Sequence, residues 1–490
     1  MLRSTSMVAC AFLVCACSFG PTAEIIKIRS LGEPILATES HDDNGRIDGL
    51  ERASVDQAGK LQANVLIVHG MGWSQQAVPE DRFGFDFVDA VDATYRVRSS
   101  TAGITRLCPQ YGKDGRQDRR YPPGGLKIVA EPGTPALQTD APGTLLYIDQ
   151  LACMDRIVLD LGPKGKINVY RLFWDDTFYS AYEYRLLGYD DGLFLGHELS
   201  DARHRGYENI DGLRSNMNRR LKTDLVTYGF SDATMYLGVA GQQIREALRG
   251  GLCAAINEAS GQTRLFEEFQ AAHAASPHDE QFIGQRASAK TLCQAGSPLR
   301  PAPLIVITKS LGSRAMFDVL TSDLRPELAA KLQQISNENL EVFMFANQIP
   351  LLGVGKLTPA VDARRTASTK NTRFIAVSEI NDLLTYELVP YFEHLYYVRC
   401  SAGQPCDTEH FRQRMSDFRS SAPARNAYIR ELGFDVIDVR ARFAGRLIPF
   451  VSLMDPLLAH DGHLKAEPVR HLFFCGADGG KPRISGCNAR

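Results

Sequence analysis

Three residue types that together can transfer an acyl group stand at the ends of apolar runs in this sequence. Ser310 directly follows one such run, Asp382 lies a short turn beyond another, and His460 lies beyond a third. A serine hydroxyl is a poor nucleophile until a base removes its proton, and a histidine can be that base when a carboxylate holds it in one tautomer. The sequence therefore offers a nucleophile, its base and the acid that orients the base.

The residues around Ser310 predict a strand, a sharp turn and a helix. Residues 303–309 form an apolar, β-branched run typical of a strand buried on both faces. Gly312 follows the serine, and the next apolar residues have helical spacing: Ala315, Met316, Val319 and Leu320. Such a turn would expose the hydroxyl at the sheet edge and direct the helix N-terminus at developing negative charge. A serine that only caps a helix is the alternative.

A second buried run, residues 63–68, leads into a glycine-rich loop made of His69, Gly70, Met71 and Gly72. Glycines allow the backbone to approach a substrate closely. By position, the backbone N–H groups of Met71 and Leu311 are the expected donors to an oxyanion. An ordinary glycine-rich turn between strand and helix is the alternative.

The acid and the base each have a second candidate nearby. Glu379 competes with Asp382 as the acid, and His463 competes with His460 as the base. His460 and His463 could also form a metal pair, but no further ligand signature accompanies them. We therefore expect no metal and no cofactor.

The elements that must position these residues alternate between strand and helix along the chain. Strands are predicted at residues 166–174, 340–346, 372–377 and 446–451, and a helix at 148–161. Ile244, Leu248, Leu252 and Ile256 mark one face of a further helix. This alternation predicts an α/β protein with a mostly parallel central sheet.

Two long stretches interrupt that pattern. Residues 97–145 are predicted to be an insertion with a small hairpin around 126–130, and residues 177–297 a mostly helical region, either a lid or a layer packed on the sheet. The expected organisation is a signal peptide at 1–17, a leader at 18–60, one domain at 61–475 and a tail at 476–490.

The overall composition gives no electrostatic reason to expect nucleic acid as a partner. The chain has 490 residues, 44% of them hydrophobic, and a net charge of −2, without a basic stripe.

The first residues resemble a bacterial secretory signal. Arg3 precedes an apolar run over residues 7–19, which is too short to span a bilayer as a helix. Residues 14–18 resemble a lipobox, which predicts cleavage before Cys17 and attachment of a lipid to Cys17; ordinary cleavage nearby is the alternative. We expect export to the periplasm or the outer membrane through a lipid anchor, with secretion as the alternative.

The cysteine count agrees with export. Of 11 cysteines, Cys10, Cys15 and Cys17 lie in the signal region, which leaves 8, an even number as disulfide-bonded proteins tend to have. We expect that Cys400 could pair with Cys406, and Cys475 with Cys487.

Together these motifs resemble the α/β-hydrolase superfamily, in particular bacterial serine hydrolases of the lipase and esterase type. The resemblance runs from about residue 61 to 475 and includes Val-His-Gly-Met-Gly72, Lys-Ser310-Leu-Gly-Ser-Arg and Asn-Asp382-Leu-Leu-Thr-Tyr. Thr308 departs from the G-x-S-x-G pattern of the superfamily. Relatives end in a motif like His-x-x-Tyr-Trp, which gives His460 the catalytic place and His463 the tyrosine position.

The resemblance implies an α/β-hydrolase fold and hydrolysis of a small-molecule or lipid ester without a cofactor. Ser310, Asp382 and His460 would form the triad. An inactive hydrolase fold with a binding or structural role is one alternative, and an acyltransferase or peptidase with the same triad is another.

Overall fold

The computed structural model describes the following residues of the chain: 23–31, 46–56, 59–70, 82–96, 126–132, 137–138, 145–146, 150–174, 230–238, 240–263, 286–294, 300–353, 372–398, 432–445 and 454–483, with single residues 215, 266, 296, 413, 416, 429 and 487. No helix in these ranges is long and apolar enough to cross a membrane.

A ten-stranded sheet forms the centre of the described chain. Six consecutive strands in its middle run parallel, in the spatial order β12 (Phe434–Arg442), β11 (Thr372–Glu379), β10 (Leu340–Phe345), β9 (Ile305–Lys309), β2 (Leu61–Val68) and β7 (Gly165–Phe173). Parallel strands need crossover connections, which here contain helices. The prediction of a mostly parallel α/β sheet is confirmed.

The flanking strands add antiparallel pairs. On one side, β1 (Glu24–Ser30) pairs antiparallel with β12. On the other side, β6 (Gln150–Asp160) pairs antiparallel with β7, β3 (Leu126–Val129) pairs antiparallel with β6, and β8 (Arg286–Ser288) pairs parallel with β3. Two small separate sheets pair β4 (Leu137–Gln138) with β5 (Leu145–Leu146), and β13 (Ala477–Asp478) with β14 (Lys481–Pro482).

The helices of the described chain cover both faces of the sheet. They are α1 (Gly49–Ser54), α2 (Arg82–Tyr95), α3 (Ser231–Leu237), α4 (Gly241–Ala259), α5 (Ala289–Gln294), α6 (Leu311–Leu320), α7 (Pro326–Leu332), α8 (Ile349–Gly353), α9 (Leu388–Val398), α10 (Pro456–Asp461) and α11 (Glu467–Cys475).

Alternate residues of each central strand enter two different hydrophobic layers. In β10, Val342 and Met344 belong to the layer that α4 and α6 cover, whereas Phe343 and Phe345 belong to the layer that α2 and α11 cover. Successive side chains of a strand point to opposite faces, so a strand apolar throughout is buried on both. The predicted apolar face of α4, from Ile244 to Ile256, is buried in the first layer, as expected.

The predicted helix at 148–161 is wrong, because residues 150–160 form β6. This strand pairs antiparallel with β7 along eight residue pairs. Inside the ladder, Arg171 donates two hydrogen bonds to Asp155, at 2.8 and 2.7 Å, and both side chains are buried. The spacing of apolar residues by three and four predicted a helix. The pairing of β6 with β7 instead places Asp155 opposite Arg171, so the two charged side chains are buried together.

Two further predictions concern strands near the insertions. The predicted local hairpin at 126–130 is a strand of the main sheet instead, since β3 pairs with β6 and β8. The predicted strand at 446–451 lies outside the described residues. The strand that precedes His460 in the sheet is β12, which the sequence patterns did not indicate.

Two disulfides join pairs of described cysteines, and Cys153 of β6 is disulfide-bonded as well. Cys475 bonds to Cys487, as expected. Cys253 of α4 bonds to Cys293 of α5, a pair that the spacing did not indicate. Cys400 and Cys406 lie outside the described residues.

Candidate active site

Ser310 occupies a strained turn between β9 and α6. Its backbone angles are φ 52° and ψ −124°, a region that residues with a side chain rarely adopt. Strain of this kind costs on the order of 1–3 kcal/mol and persists only where surrounding contacts hold it. Ser310 N–H donates to the carbonyl of Phe345 at 2.9 Å, and its own carbonyl accepts from Ser313 N–H at 3.0 Å.

Two glycines permit the close approach of the loop at 69–70 to this turn. A Cβ on Gly312 would lie 2.2 Å from the carbonyl oxygen of His69. A Cβ on Gly70 would lie 2.7 Å from the Cβ of Ser310. Both contacts are far too short for a side chain, so glycine is required at both positions for this packing.

Thr308, which departs from the expected small residue, is accommodated by its hydroxyl. The side chain is fully buried, and Thr308 Oγ1 donates toward Ser313 Oγ at 2.9 Å, with the carbonyl of Phe343 at 3.4 Å. A buried hydroxyl with a partner does not carry the cost of an unsatisfied one. Thr308 therefore ties the end of β9 to the first turn of α6.

Asp382 and His460 form a buried hydrogen-bonded pair. His460 Nδ1 and Asp382 Oδ2 are 2.9 Å apart. Asp382 also accepts hydrogen bonds from Leu384 N–H at 2.9 Å and from the hydroxyl of Thr385. Burial acts to raise the pKa of Asp382, but the hydrogen bonds from His460, Thr385 and Leu384 outweigh it and keep that pKa below its usual value. The carboxylate is thus held ionised, and it fixes one nitrogen of the imidazole.

No described hydrogen bond joins Ser310 to the Asp382–His460 pair. Ser310 Oγ is buried and has no hydrogen-bond partner among the described residues. The segments on either side are nevertheless in contact, because Lys309 donates to the carboxylate of Asp461. Lys309 precedes Ser310 and Asp461 follows His460.

Glu379, the second candidate acid, is occupied by backbone groups. Its carboxylate accepts from the backbone and side-chain amides of Asn381, from Phe443 N–H at 3.2 Å and from Ala444 N–H at 3.3 Å. These contacts connect the end of β11 to the residues after β12. The structure brings Asp382, and not Glu379, onto a histidine.

His463, the second candidate base, is enclosed by aromatic rings. Its ring centroid lies 5.5 Å from that of Phe345 and 5.0 Å from that of Phe443. Neither ring nitrogen has a hydrogen-bond partner within the described part of the chain. Burial lowers the pKa of His463 to about 3. A histidine so enclosed stays neutral and makes no contact with Ser310 Oγ through hydrogen bonding.

The glycine-rich loop begins with a histidine that is fixed by Trp174. The two rings stack with centroids 5.3 Å apart, and the indole Nε1–H donates to the carbonyl of His69 at 3.2 Å. Trp174 N–H donates to His69 Nε2 at 3.4 Å, so the proton is on Nδ1, which donates to the carbonyl of Gly70 at 2.9 Å. Met71 and Gly72 lie outside the described residues, as does Cys17, whereas Leu311 is the first residue of α6.

Exposed apolar side chains lie close in sequence to the acid and the base. Leu383, next to Asp382, is 76% exposed, and Leu458, two residues before His460, is 38% exposed. Ile380 and Tyr386 of the acid loop are also exposed. We name Ile380, Leu383, Tyr386 and Leu458 the apolar rim. Its members could contact the apolar part of a substrate.

Among the side chains that the structure describes, no three of the types His, Cys, Asp or Glu converge as metal ligands.

Sequence patterns missed several residues that connect the site. Lys309 and Asp461 contact each other, Thr385 donates to Asp382 from the same loop, and Asn347 donates to the backbone carbonyl of Tyr386 in that loop. Adjacency to Ser310 and His460 was the only available signal for Lys309 and Asp461.

In the comparisons with known proteins, no family model matches the chain, and neither a curated protein nor a solved structure matches it.

Proposed function

We propose that this protein is a serine hydrolase with an α/β-hydrolase fold that cleaves carboxylic esters. The observation that carries the proposal is the Asp382–His460 hydrogen bond of 2.9 Å beside a serine held in a strained strand-to-helix turn. A carboxylate on Nδ1 leaves the other ring nitrogen available as a base, which is the arrangement that activates a serine.

The order of the residues along the sheet supports the same conclusion. Ser310 follows β9, Asp382 follows β11 and His460 follows β12, and these strands run parallel in one sheet. Their carboxyl ends therefore lie at the same edge of the sheet, where open α/β sheets bind ligands. Serine, acid and histidine in that chain order are typical of α/β-hydrolases.

The proposed reaction proceeds through an acyl-enzyme. Ser310 Oγ attacks the ester carbonyl while His460 takes its proton, and Asp382 stabilises the imidazolium that forms. The N–H groups of Leu311 and Met71 are the proposed donors to the oxyanion. Collapse breaks the C–O bond to the alcohol, which leaves with the proton from His460. Water, activated by His460, then cleaves the acyl-enzyme and frees Ser310.

Activity-based labelling tests the proposal directly. A fluorophosphonate probe should attach to Ser310 with loss of fluoride, and Ser310→Ala should abolish labelling and hydrolysis of p-nitrophenyl esters. Ser378→Ala is the matched control, because Ser378 is also a buried serine whose Oγ has no partner among the described residues. Labelling that persists in Ser310→Ala, or that never occurs in the native protein, would overturn the proposal.

A binding protein with an inactive hydrolase fold is the second candidate. The observation that favours it is the missing hydrogen bond between Ser310 Oγ and a histidine. Catalytic hydrogen bonds are often long in ligand-free enzymes and shorten when substrate binds. Turnover that depends on His460 would exclude this candidate, and a folded protein without turnover would favour it.

An acyltransferase or a peptidase would use the same three residues. The two differ from an esterase in what accepts or releases the acyl group. Addition of alcohols to an ester turnover assay should leave acid production dominant if water is the preferred acceptor. An amide substrate cleaved as fast as the matching ester would favour a peptidase.

We further propose that the chain is exported and anchored in the envelope by a lipid on Cys17. Disulfides persist in oxidising compartments, and the Cys253–Cys293 and Cys475–Cys487 bonds support this part of the proposal. Metabolic labelling with a fatty acid should mark the native protein and not Cys17→Ser. Equal labelling of both would refute the anchor.

A further inference from the structure

Lys309 and Asp461 join the two segments that carry the proposed nucleophile and base. Lys309 Nζ donates to Asp461 Oδ1 although 152 residues separate the two along the chain. We propose that this ion pair positions His460 relative to Ser310. The inference rests on the proposed function and adds two residues that act through Ser310 and His460 without contacting the substrate.

The two ends of the ion pair belong to elements of unequal rigidity. Lys309 is the last residue of β9, whose backbone is paired with β10 and β2 on both sides. Asp461 is the last residue of α10, a helix of six residues. A helix so short gains little from its own hydrogen bonds and depends on tertiary contacts. The ion pair therefore attaches a short helix to the rigid edge of the sheet.

Partial burial makes this contact stronger than an ordinary surface ion pair. The side chains of Lys309 and Asp461 are 17% and 27% exposed. Charges screened by less water interact more strongly than fully solvated ones. The pair can therefore hold the end of α10 against the end of β9 more firmly than a solvated pair would.

The position of His460 is otherwise fixed from the acid side. Asp382 holds Nδ1 of the ring, while Ser310 Oγ has no partner among the described residues. In the absence of substrate, the serine itself does not hold the base. Asp461 follows His460 directly, and its contact with Lys309 attaches this part of the chain to β9, the strand that leads into Ser310.

Geometry and electrostatics predict different results when one charge is removed. Lys309 and Asp461 shift the pKa of the neighbouring His463 in opposite directions. A purely electrostatic role would likewise make Lys309→Met and Asp461→Asn shift the pH profile of Ser310 labelling in opposite directions. A positioning role makes both variants lower the maximal rate, because either change releases the same contact.

The test is a double-mutant cycle on the full chain. The measured quantity is the second-order rate of Ser310 labelling by a fluorophosphonate from about pH 5 to about pH 9. Lys309→Met and Asp461→Asn should each lower the plateau rate about 10- to 100-fold. The double variant should lose no more than either single variant, and the reversed pair Lys309→Asp with Asp461→Lys should regain part of the rate.

Asp478→Asn is the matched control, because it removes an Asp–Arg ion pair with Arg483 that contacts none of the proposed site residues. It should label at the native rate. Thermal midpoints of all variants show whether a loss of rate reflects unfolding. Native rates in both single variants, multiplied losses in the double variant, or opposite shifts of the pH profile with an unchanged plateau would overturn the positioning role.

Hydrogen exchange separates this inference from the proposed function. If the native protein is never labelled, the proposed function fails, and exchange of the peptide 456–465 still reports on the ion pair. Faster exchange there in both single variants than in Asp478→Asn would support attachment of α10 by the pair. Unchanged exchange would overturn it.

Discussion

Asn347 Nδ2 donates a hydrogen bond of 3.0 Å to the backbone carbonyl of Tyr386. The donor lies just beyond the end of β10, and the acceptor lies in the loop that begins with Asp382. Asn347 is fully buried, and its Oδ1 also accepts from Ile349 N–H at 3.3 Å. One amide side chain thus connects the strand beside the serine to the loop of the proposed acid.

Asn347→Ala should loosen the acid loop. It leaves the Tyr386 carbonyl without its protein donor, which costs about 1–3 kcal/mol when the group stays buried. We expect a lower rate of Ser310 labelling together with a lower unfolding midpoint.

Asn337→Ala is the control for that change. Asn337 exchanges hydrogen bonds of 3.2 and 3.0 Å with the backbone of Leu304, at the opposite ends of β9 and β10. It should lower the midpoint by a similar amount and leave labelling intact. Equal effects of both variants on labelling would show that Asn347 acts only through stability.

The two candidate acids should respond differently to neutral replacements. Asp382→Asn keeps the shape of the side chain but favours the wrong tautomer of the His460 ring. We therefore expect turnover to fall about 10⁴-fold. Glu379→Gln should weaken the contacts to Phe443 and Ala444 and lower the unfolding midpoint, with turnover largely kept. Ester turnover and thermal unfolding of both variants measure this contrast. The reverse pattern would assign the acid to Glu379.

His463 should make the protein sensitive to acid. Burial lowers its pKa in the folded state to about 3, from the ordinary histidine value of about 6.5, so below about pH 6.5 the unfolded chain binds the proton more readily. Its stabilising contribution is complete above that pH and is lost as the pH falls toward 3. His463→Phe should therefore lose less stability than the native protein between about pH 7 and about pH 5.

The phenylalanine variant should also keep labelling at Ser310, since it replaces two buried nitrogens that have no partner in the described chain with an apolar ring. His394→Phe, at an exposed histidine, is the control and should not change the pH dependence of the midpoint. Loss of labelling in His463→Phe, with the fold intact, would assign a role in catalysis to His463.

The apolar rim should influence the preference for acyl length. Leu383 is the most exposed of the large apolar side chains described, and it adjoins Asp382. Burial of a leucine side chain against a ligand is worth about 1.5–3 kcal/mol, so Leu383→Ser should reduce turnover of a long-chain p-nitrophenyl ester about tenfold or more. Turnover of the acetate should hardly change.

Leu237→Ser provides the comparison for the rim. Leu237 is also exposed, but it lies in α3. It should affect neither ester. An equal loss for short and long esters in Leu383→Ser would mean that the substitution acts on Asp382 and not on binding of the chain.

The strands that carry the site could be predicted because they are buried on both faces. A parallel strand covered by two layers is mostly apolar, and β2, β9, β10 and β11 contain unbroken apolar runs at residues 65–68, 305–307, 342–345 and 374–377. The polar residues that follow such runs must then meet at one edge of the sheet. The contact between Asp382 and His460 was predicted, although β12, the described strand that precedes His460, was not.

The strands with buried charge could not be predicted in this way. β6 contains Asp155 and β12 contains Asp438, which accepts from Leu388 N–H at 2.8 Å and Val389 N–H at 2.7 Å. A charged residue interrupts the apolar pattern that predicts a buried strand. Its burial can be expected only when its partner is known, and the partners of Asp155 and Asp438 lie in other elements of the fold. The Lys309–Asp461 pair escaped prediction for the same reason.

The first described strand, β1, covers the outer edge of β12. β1 pairs along β12 from Glu24–Arg442 to Ser30–Ile437. Without it, β12 would present a row of unpaired N–H and C=O groups at the edge of the sheet, which is a template for strand addition by another molecule. Proteolysis or truncation within residues 24–30 should therefore promote aggregation, even though no proposed catalytic residue lies in that segment.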